Sequence, residues 1–164
     1  MSWPAARNLE VDELRRAFGM FPSGVAAICA LVDSAPVGMV ASSFTSVSLK
    51  PALVSICVAH SSTTWPALRN APRLGLSVMG ADQEGLARQL ASKSGDRFAE
   101  VGWEAASDQA VFVHGSALWL HCRIDDEVAA GDHNIVVMEV LDAVAYPETS
   151  PIVFHGSRFR ALAG

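Results

Sequence analysis

Five hydroxyl side chains crowd the stretch from Ser42 to Ser48, namely Ser42, Ser43, Thr45, Ser46 and Ser48, beside the apolar Met39, Val40, Ala41 and Phe44. A strand end of this make-up can hydrogen-bond the polar edge of a ring while its aliphatic groups pack on the ring face. A Ser/Thr-rich edge strand and turn has the same composition. A second cluster, His60-Ser61-Ser62-Thr63-Thr64, stands just before Trp65-Pro66, where a short helix opens. Hydroxyls, free amides and the positive helix end then meet at one point, which suits a phosphate. Simple capping needs one hydroxyl, and four are present.

Two further groups add charge. Gly131-Asp132-His133-Asn134 interrupts two strands and puts an imidazole at a strand mouth, where it can donate to a carboxamide or steady developing charge near neutral pH; a hairpin turn with a solvated histidine reads the same way. Arg97, in an irregular stretch, can bind a phosphate through two parallel hydrogen bonds, although a lone surface Arg is the commoner case. Trp65, Trp103 and Trp119 read as packing or interface residues. The chain has no Gly-x-Gly-x-x-Gly, Walker loop, Gly-x-Ser-x-Gly elbow, His-Glu-x-x-His or Cys-x-x-Cys, and His114 and His121 suggest no metal site. A nucleotide-like ligand must therefore be held by scattered amides and hydroxyls.

The elements that position these groups are mostly strands. Asn8 can cap a first helix with Val11, Leu14 and Phe18 at helical spacing and Gly19 as its stop. Apolar runs over 25–32, 37–45 and 52–59, separated by short turn signals, predict three strands of an antiparallel meander. A helix from Trp65 to near Pro72, a strand over 73–79 and a helix over 83–92 capped by Asp82 follow. Residues 93–103 lack a clean period and read as a loop. Leu118, Leu120, Cys122 and Ile124 alternate with Trp119, His121, Arg123 and Asp125, the pattern of a long half-buried strand. A continuous apolar strand over 135–141 runs on through Val144 to Tyr146, and the tail from Pro151 to Arg160 suits a last strand and turn. Some seven strands with short helices predict a mainly β fold, a barrel with helical decoration, because closure hides strand edges.

The chain has 164 residues, 51% of them apolar and 18% charged, which excludes disorder and fits one domain over 1–164 with a real core. The low charged share leaves apolar surface for a subunit or flat cofactor to cover. A net charge of −5 without a basic run argues against nucleic acid, and no apolar run is long enough to span a membrane. The N-terminal residues show no secretory signal, so a cytoplasmic protein is expected, with Cys29, Cys57 and Cys122 as reduced core thiols.

The order of the segments is more specific than any one of them. Phe18-Gly-Met-Phe-Pro-Ser-Gly-Val25, then Gly38 through Val54, Ser61-Ser-Thr-Thr64, Asp96-Arg-Phe98, Gly131-Asp-His133 and Pro151 through Phe159 resemble the short-chain flavin reductase family over roughly residues 12 to 162. The resemblance implies a homodimeric split β-barrel (the FMN-binding split barrel) that binds FMN or FAD, oxidises NADH or NADPH, and often supplies reduced flavin to a separate monooxygenase. By position it implies that Val40, Ala41, Ser42, Ser43, Phe44 and Ser48 line the isoalloxazine and ribityl chain. Cys57, Val58 and Ala59 back the ring, Ser62 and Thr63 hold the phosphate, and Arg97 and Phe98 close over it. His133 falls near the nicotinamide as the catalytic residue. Ser23, Lys50 and Phe154-His155 depart from the residues usual in the family at those places. Two other readings fit the same residues: a barrel holding FMN tightly and acting as oxidase or monooxygenase on its own substrate, and a flavin-binding barrel without catalysis.

Overall fold

The computed structural model describes residues 5–163. In chain order the elements are α1 (Val11–Phe18), β1 (Ser23–Gly24), β2 (Ala26–Val32), β3 (Ala35–Ala41), β4 (Thr45–Leu49), β5 (Ala52–Ala59), α2 (Trp65–Leu68), β6 (Leu74–Val78), α3 (Glu84–Leu90), β7 (Trp103–Ala105), β8 (Val111–Val113), β9 (Leu118–Ala130), β10 (His133–Ala145), β11 (Ile152–His155) and β12 (Arg158–Ala161). The fold is mainly β, and every strand pairing is antiparallel.

Seven strands form one sheet in the order β3-β2-β6-β9-β10-β5-β4. This corrects the expected meander. β3 pairs with β2 and β5 pairs with β4 and β10, so β3 and β5 lie near opposite ends of the ladder. The expected strand over 37–45 is two strands, broken between Ala41 and Thr45. Six of the seven sheet strands send side chains into one cluster that includes Ile28, Ala41, Ile56, Val58, Leu76, Leu120, Cys122, Val136 and Met138, so the sheet curls around that core. Trp65 and Leu68 of α2 cover one end of it. The other face of β2, through Ala27 and Cys29, packs with α3, β8 and Ile152 in a second cluster. Burying some ten large aliphatic side chains in this way, at about 1.5–3 kcal/mol each, supplies the main drive for folding.

Close backbone approach fixes one glycine: a Cβ on Gly75 would lie 2.0 Å from the Val111 carbonyl oxygen. Other expectations shift at element ends. α1 begins at Glu10 rather than Asn8, with the Glu10 N–H donating to Glu13 Oε2 at 3.0 Å, and none of its residues is buried. α3 begins after Gln83 rather than at Asp82; Gln83 Oε1 accepts from the Gly80 N–H and its Nε2 donates to the His114 carbonyl. His133 is not a turn residue but the first residue of β10. Cys29 and Cys122 are buried and burial raises each thiol to about 12, whereas Cys57, expected in the core, is exposed on the outward face of β5. Its neighbours in register are Ile135 and, beyond it, Val128, so apolar surface surrounds it on the outside too. Among the described residues no helix is long and apolar enough to cross a membrane.

Candidate functional site

A cleft of about 440 Å³ opens beside the ends of β3 and β5. Met39, Val40 and Ala59 give it an apolar lining, Ser61 to Thr64 a row of hydroxyls, and Lys93 and Arg97 two cations. A second cleft of about 310 Å³ adjoins it and shares Thr63, Thr64 and Arg97. Apolar walls, hydroxyl donors and two cations together suit a planar ring carrying an anionic tail, since each charged hydrogen bond of a guanidinium or ammonium to a phosphate is about twice as strong as a neutral one.

Arg97 is held in place from two sides. Its Nη1 donates to the Gly38 carbonyl at 3.1 Å and to Thr64 Oγ1 at 2.8 Å, which ties the irregular segment after α3 to β3 and to the hydroxyl row. Gln89 Nε2 donates to the carbonyls of Arg97 and Ala99 at 3.1 and 2.7 Å, and Asp96 Oδ1 accepts from the Phe98 N–H at 2.9 Å. Gly38 makes this docking possible, because a Cβ there would come within 2.6 Å of Cys29 Sγ and 2.9 Å of Phe98 Cζ. Fixing the guanidinium before any ligand arrives lowers the ordering cost of binding.

His133 stands opposite Ala59 in the β10–β5 ladder, so it flanks the cleft across one strand. Its Nδ1 lies 2.7 Å from Asp132 Oδ1, and that hydrogen bond holds the Asp132 carboxyl below its ordinary range. A second network fixes the same corner. The His60 N–H donates to the Asp132 carbonyl at 2.9 Å, and His60 Nε2 donates to Asn134 Oδ1 at 2.8 Å. Asn134 Nδ2 then donates to Glu127 Oε2 at 3.2 Å, and Arg69 Nε pairs with Glu127 Oε1 at 3.4 Å. The end of β5, the β9–β10 turn and α2 are thereby pinned together.

Val40, Ala59, Ser62, Thr63 and Arg97 meet in the first cleft, and Phe98 lines the second. Ala41 and Val58 turn their side chains into the core, leaving only main chain for a ligand. Ser43 accepts from the Cys57 N–H at 2.8 Å and donates to its carbonyl at 3.3 Å, a clamp between the β3–β4 connection and β5. Phe44 packs on the core, Ser42 lies exposed in the connection before β4, and Ser48 lies within β4. Ser62 Oγ accepts from the Trp65 N–H at 3.1 Å, so this hydroxyl caps α2 while its own hydrogen stays available. Sequence reasoning missed Lys93 and the hydrogen bonds that join His60, Asn134 and Glu127. Lys93 had a signal, its place in the same aperiodic segment as Arg97; the network joins residues that only strand register brings together.

Three comparisons bear on this geometry. The family model described as "Flavin reductase like domain" matches residues 18–163. An NADH-dependent FAD reductase of Streptomyces globisporus is 39% identical over 156 residues, covering 92% of this chain and 85% of that protein. Among solved structures, the NADH:FAD oxidoreductase of S. globisporus C-1027 in complex with NAD and FAD fragments superposes with a TM-score of 0.87 at 38% identity, covering 96% of this chain and 98% of that one. BorF, the flavin reductase component of a bacterial two-component tryptophan halogenase, superposes with a TM-score of 0.87 at 32% identity over 94% of this chain and 99% of its own.

Proposed function

The chain belongs to the flavin reductase like domain family, and from that premise we propose that it is an NAD(P)H:flavin oxidoreductase whose flavin occupies the cleft beside β3 and β5. The observation that carries the reading is the single cleft in which apolar Val40 and Ala59, the Ser61–Thr64 hydroxyls and the cations Lys93 and Arg97 converge. That donor set fits the group: aliphatic walls for a tricyclic ring, hydroxyls for a ribityl chain, cations for its phosphate. When bound, FMN or FAD supplies the redox chemistry, taking a hydride from NADH or NADPH.

The residues of the chain bind and orient. Val40 and Ala59 exclude water from the ring face, which strengthens every polar contact made there. Thr63, the free hydrogen of Ser62, and Arg97 anchor the phosphate end, and Phe98 covers it. His133, steadied by Asp132 and opposite Ala59 of the cleft, would donate to the carboxamide of a bound nicotinamide and so help to orient it for hydride transfer. No acid or base is required of the protein.

The curled seven-stranded sheet is the split barrel of this reading. The exposed apolar row of Val128, Ile135 and Cys57 on its outer face supports a homodimer. A separate flavin-dependent monooxygenase as consumer agrees with the relatives that are reductase components, and a diffusible dinucleotide donor with three unpaired thiols agrees with the cytoplasm. The test is a spectrophotometric matrix of NADH and NADPH against riboflavin, FMN and FAD. Purified protein is expected to oxidise nicotinamide only when flavin is added; flavin binding without nicotinamide oxidation overturns the proposal.

A further inference from the structure

Glu127, Asn134 and His60 line neither the first nor the second cleft, and the reductase reading gives them no task. Register shows where they stand. Asn134 pairs with Val58 and Glu127 with Val136, and both valines belong to the first core cluster. Residues paired across a ladder share a face, and neighbours along a strand take opposite faces. Asn134 and Glu127 therefore lie on the core face of the sheet, while His133 and its partner Ala59 lie on the other, where Ala59 meets the cleft.

The three hold His133 from behind. The main-chain N–H of His60 donates to the Asp132 carbonyl at 2.9 Å, and its Nε2 donates to Asn134 Oδ1 at 2.8 Å. The residue before His133 and the residue after it are thus tied to one side of the same neighbour. The second bond has a polarity to keep. An amide oxygen only accepts, so His60 must carry a proton on Nε2. Asn134 presents that oxygen because its Nδ2 donates to Glu127 Oε2 at 3.2 Å. Glu127, whose side chain is 15% exposed, also accepts from Trp65 Nε1 at 3.4 Å and pairs with Arg69 Nε at 3.4 Å. Three donors converge there, and a carboxylate accepts on both oxygens without offering a donor of its own. Carboxylate, amide and imidazole therefore form a one-way sequence of acceptors and donors, and reversing one member breaks it.

We infer that Glu127 and Asn134 are positioning residues for His133: the polarity of the bond between them fixes His60 and, through it, the main chain on both sides of His133. Neither touches a ligand. The inference rests on the reductase reading, which puts the nicotinamide at His133.

The test is steady-state kinetics on a set of variants, with flavin affinity followed by fluorescence titration. Asn134→Asp sets a carboxylate against Glu127 where an amide donated. It is expected to raise the nicotinamide KM about tenfold and to leave flavin affinity unchanged. Adding Glu127→Gln supplies a donor at position 127 and an acceptor for His60 at 134, so the KM returns close to the wild-type value. In a His133→Ala background Asn134→Asp adds nothing further, since both changes act on one group. Asn134→Leu removes both bonds without adding charge; it is expected to raise the KM alike and carries the test where Asn134→Asp does not fold. A wild-type KM in the single variants, a rise that Glu127→Gln leaves in place, or an equal rise without His133 overturns the inference, the last being what a general loosening of the fold would give. Long-range proton–nitrogen NMR spectra of wild type, at a pH where imidazoles are neutral, read the His60 tautomer apart from activity: a proton on Nε2 is expected, and one on Nδ1 overturns the inference. Wild type that oxidises no nicotinamide sinks the reductase reading; wild type that does so, with variants that match it, sinks this inference alone.

Discussion

Imidazole–carboxylate pairs occur at both ends of the β9–β10 hairpin, and their surroundings differ. At the open end, His114 Nε2 lies 3.1 Å from Glu104 and His121 Nε2 lies 3.0 Å from Asp108, which Arg73 also approaches at 3.7 Å. Both imidazoles sit among aromatic rings: Trp119 stacks on Phe112 with centroids 5.3 Å apart, meets Tyr146 edge-on at 5.3 Å and lies against His114 at 6.0 Å. At the turn end, His133 pairs with Asp132 and faces the strand whose Ala59 lines the cleft. A histidine touching a carboxylate is thus no mark of function in this fold. What distinguishes His133 is its place across one strand from a cleft that already holds two cations. The open end is built for packing; the turn end, in the proposed reading, serves contact with a ligand.

The largest expected effect tests the packing end. Trp119→Ala removes the stack on Phe112, the edge contact with Tyr146 and the Nε1 hydrogen bond to the Val113 carbonyl at 2.8 Å. A loss of about 3 kcal/mol in urea unfolding is expected, with flavin and nicotinamide KM values unchanged. A raised KM would show that the two ends communicate. Next, His133→Ala is expected to raise the nicotinamide KM or lower the reduction rate about tenfold, the worth of one hydrogen bond to a polar group in a site, while flavin affinity stays level. His121→Ala is the matched control and should leave both kinetic values alone; stopped-flow reduction under anaerobic conditions separates the two. If both variants behave alike, placement beside the cleft carries no meaning.

The smallest effect is a pH dependence. Because Asp132 is held below its ordinary range in the folded chain, its contribution to stability is present above the unfolded value of about 3.9 and is lost as pH falls through the lowered folded value. Asp132 is fully exposed, so the effect is small. The difference in urea midpoint between wild type and Asp132→Asn should hold steady from neutral pH down to the ordinary carboxylate range and vanish below it.

These contrasts also show what the sequence could convey. Alternation from Leu118 to Asp125 read cleanly because one face of β9 meets the core while the other passes from the Trp119–His121 aromatic cluster to the exposed Arg123 and Asp125. Cys57 misled for the opposite reason: β5 has apolar neighbours on both faces, so period and composition carry no sign of which side is inside. The meander failed because turn signals report where a strand ends, not which distant strand it joins; strand order separates β3 from β5, and the curl that brings their ends to one cleft depends on contacts across the core. The apolar stripe of α1 was legible as a stripe, yet Val11 and Phe18 remain exposed, so a hydrophobic face does not reveal whether its cover lies in the same chain. In the site, residues clustered along the chain were visible, the Ser61–Thr64 row and Arg97 among them. The bonds from His60 to Asn134 and from Asn134 to Glu127 were not, since only register brings the three together.

The missing side chain at position 38 opens one face of β3 to the second core cluster. One hydrogen atom there lets the Cys29 thiol in the second core cluster and the Phe98 ring over the second cleft close in from neighbouring directions. Positions 29, 38 and 98 therefore form a lock with three tumblers. In descendants of this chain, a methyl group gained at 38 can persist only where a slimmer residue has appeared at 29 or 98, and the guanidinium one residue before Phe98 will drift with whichever of them gives way.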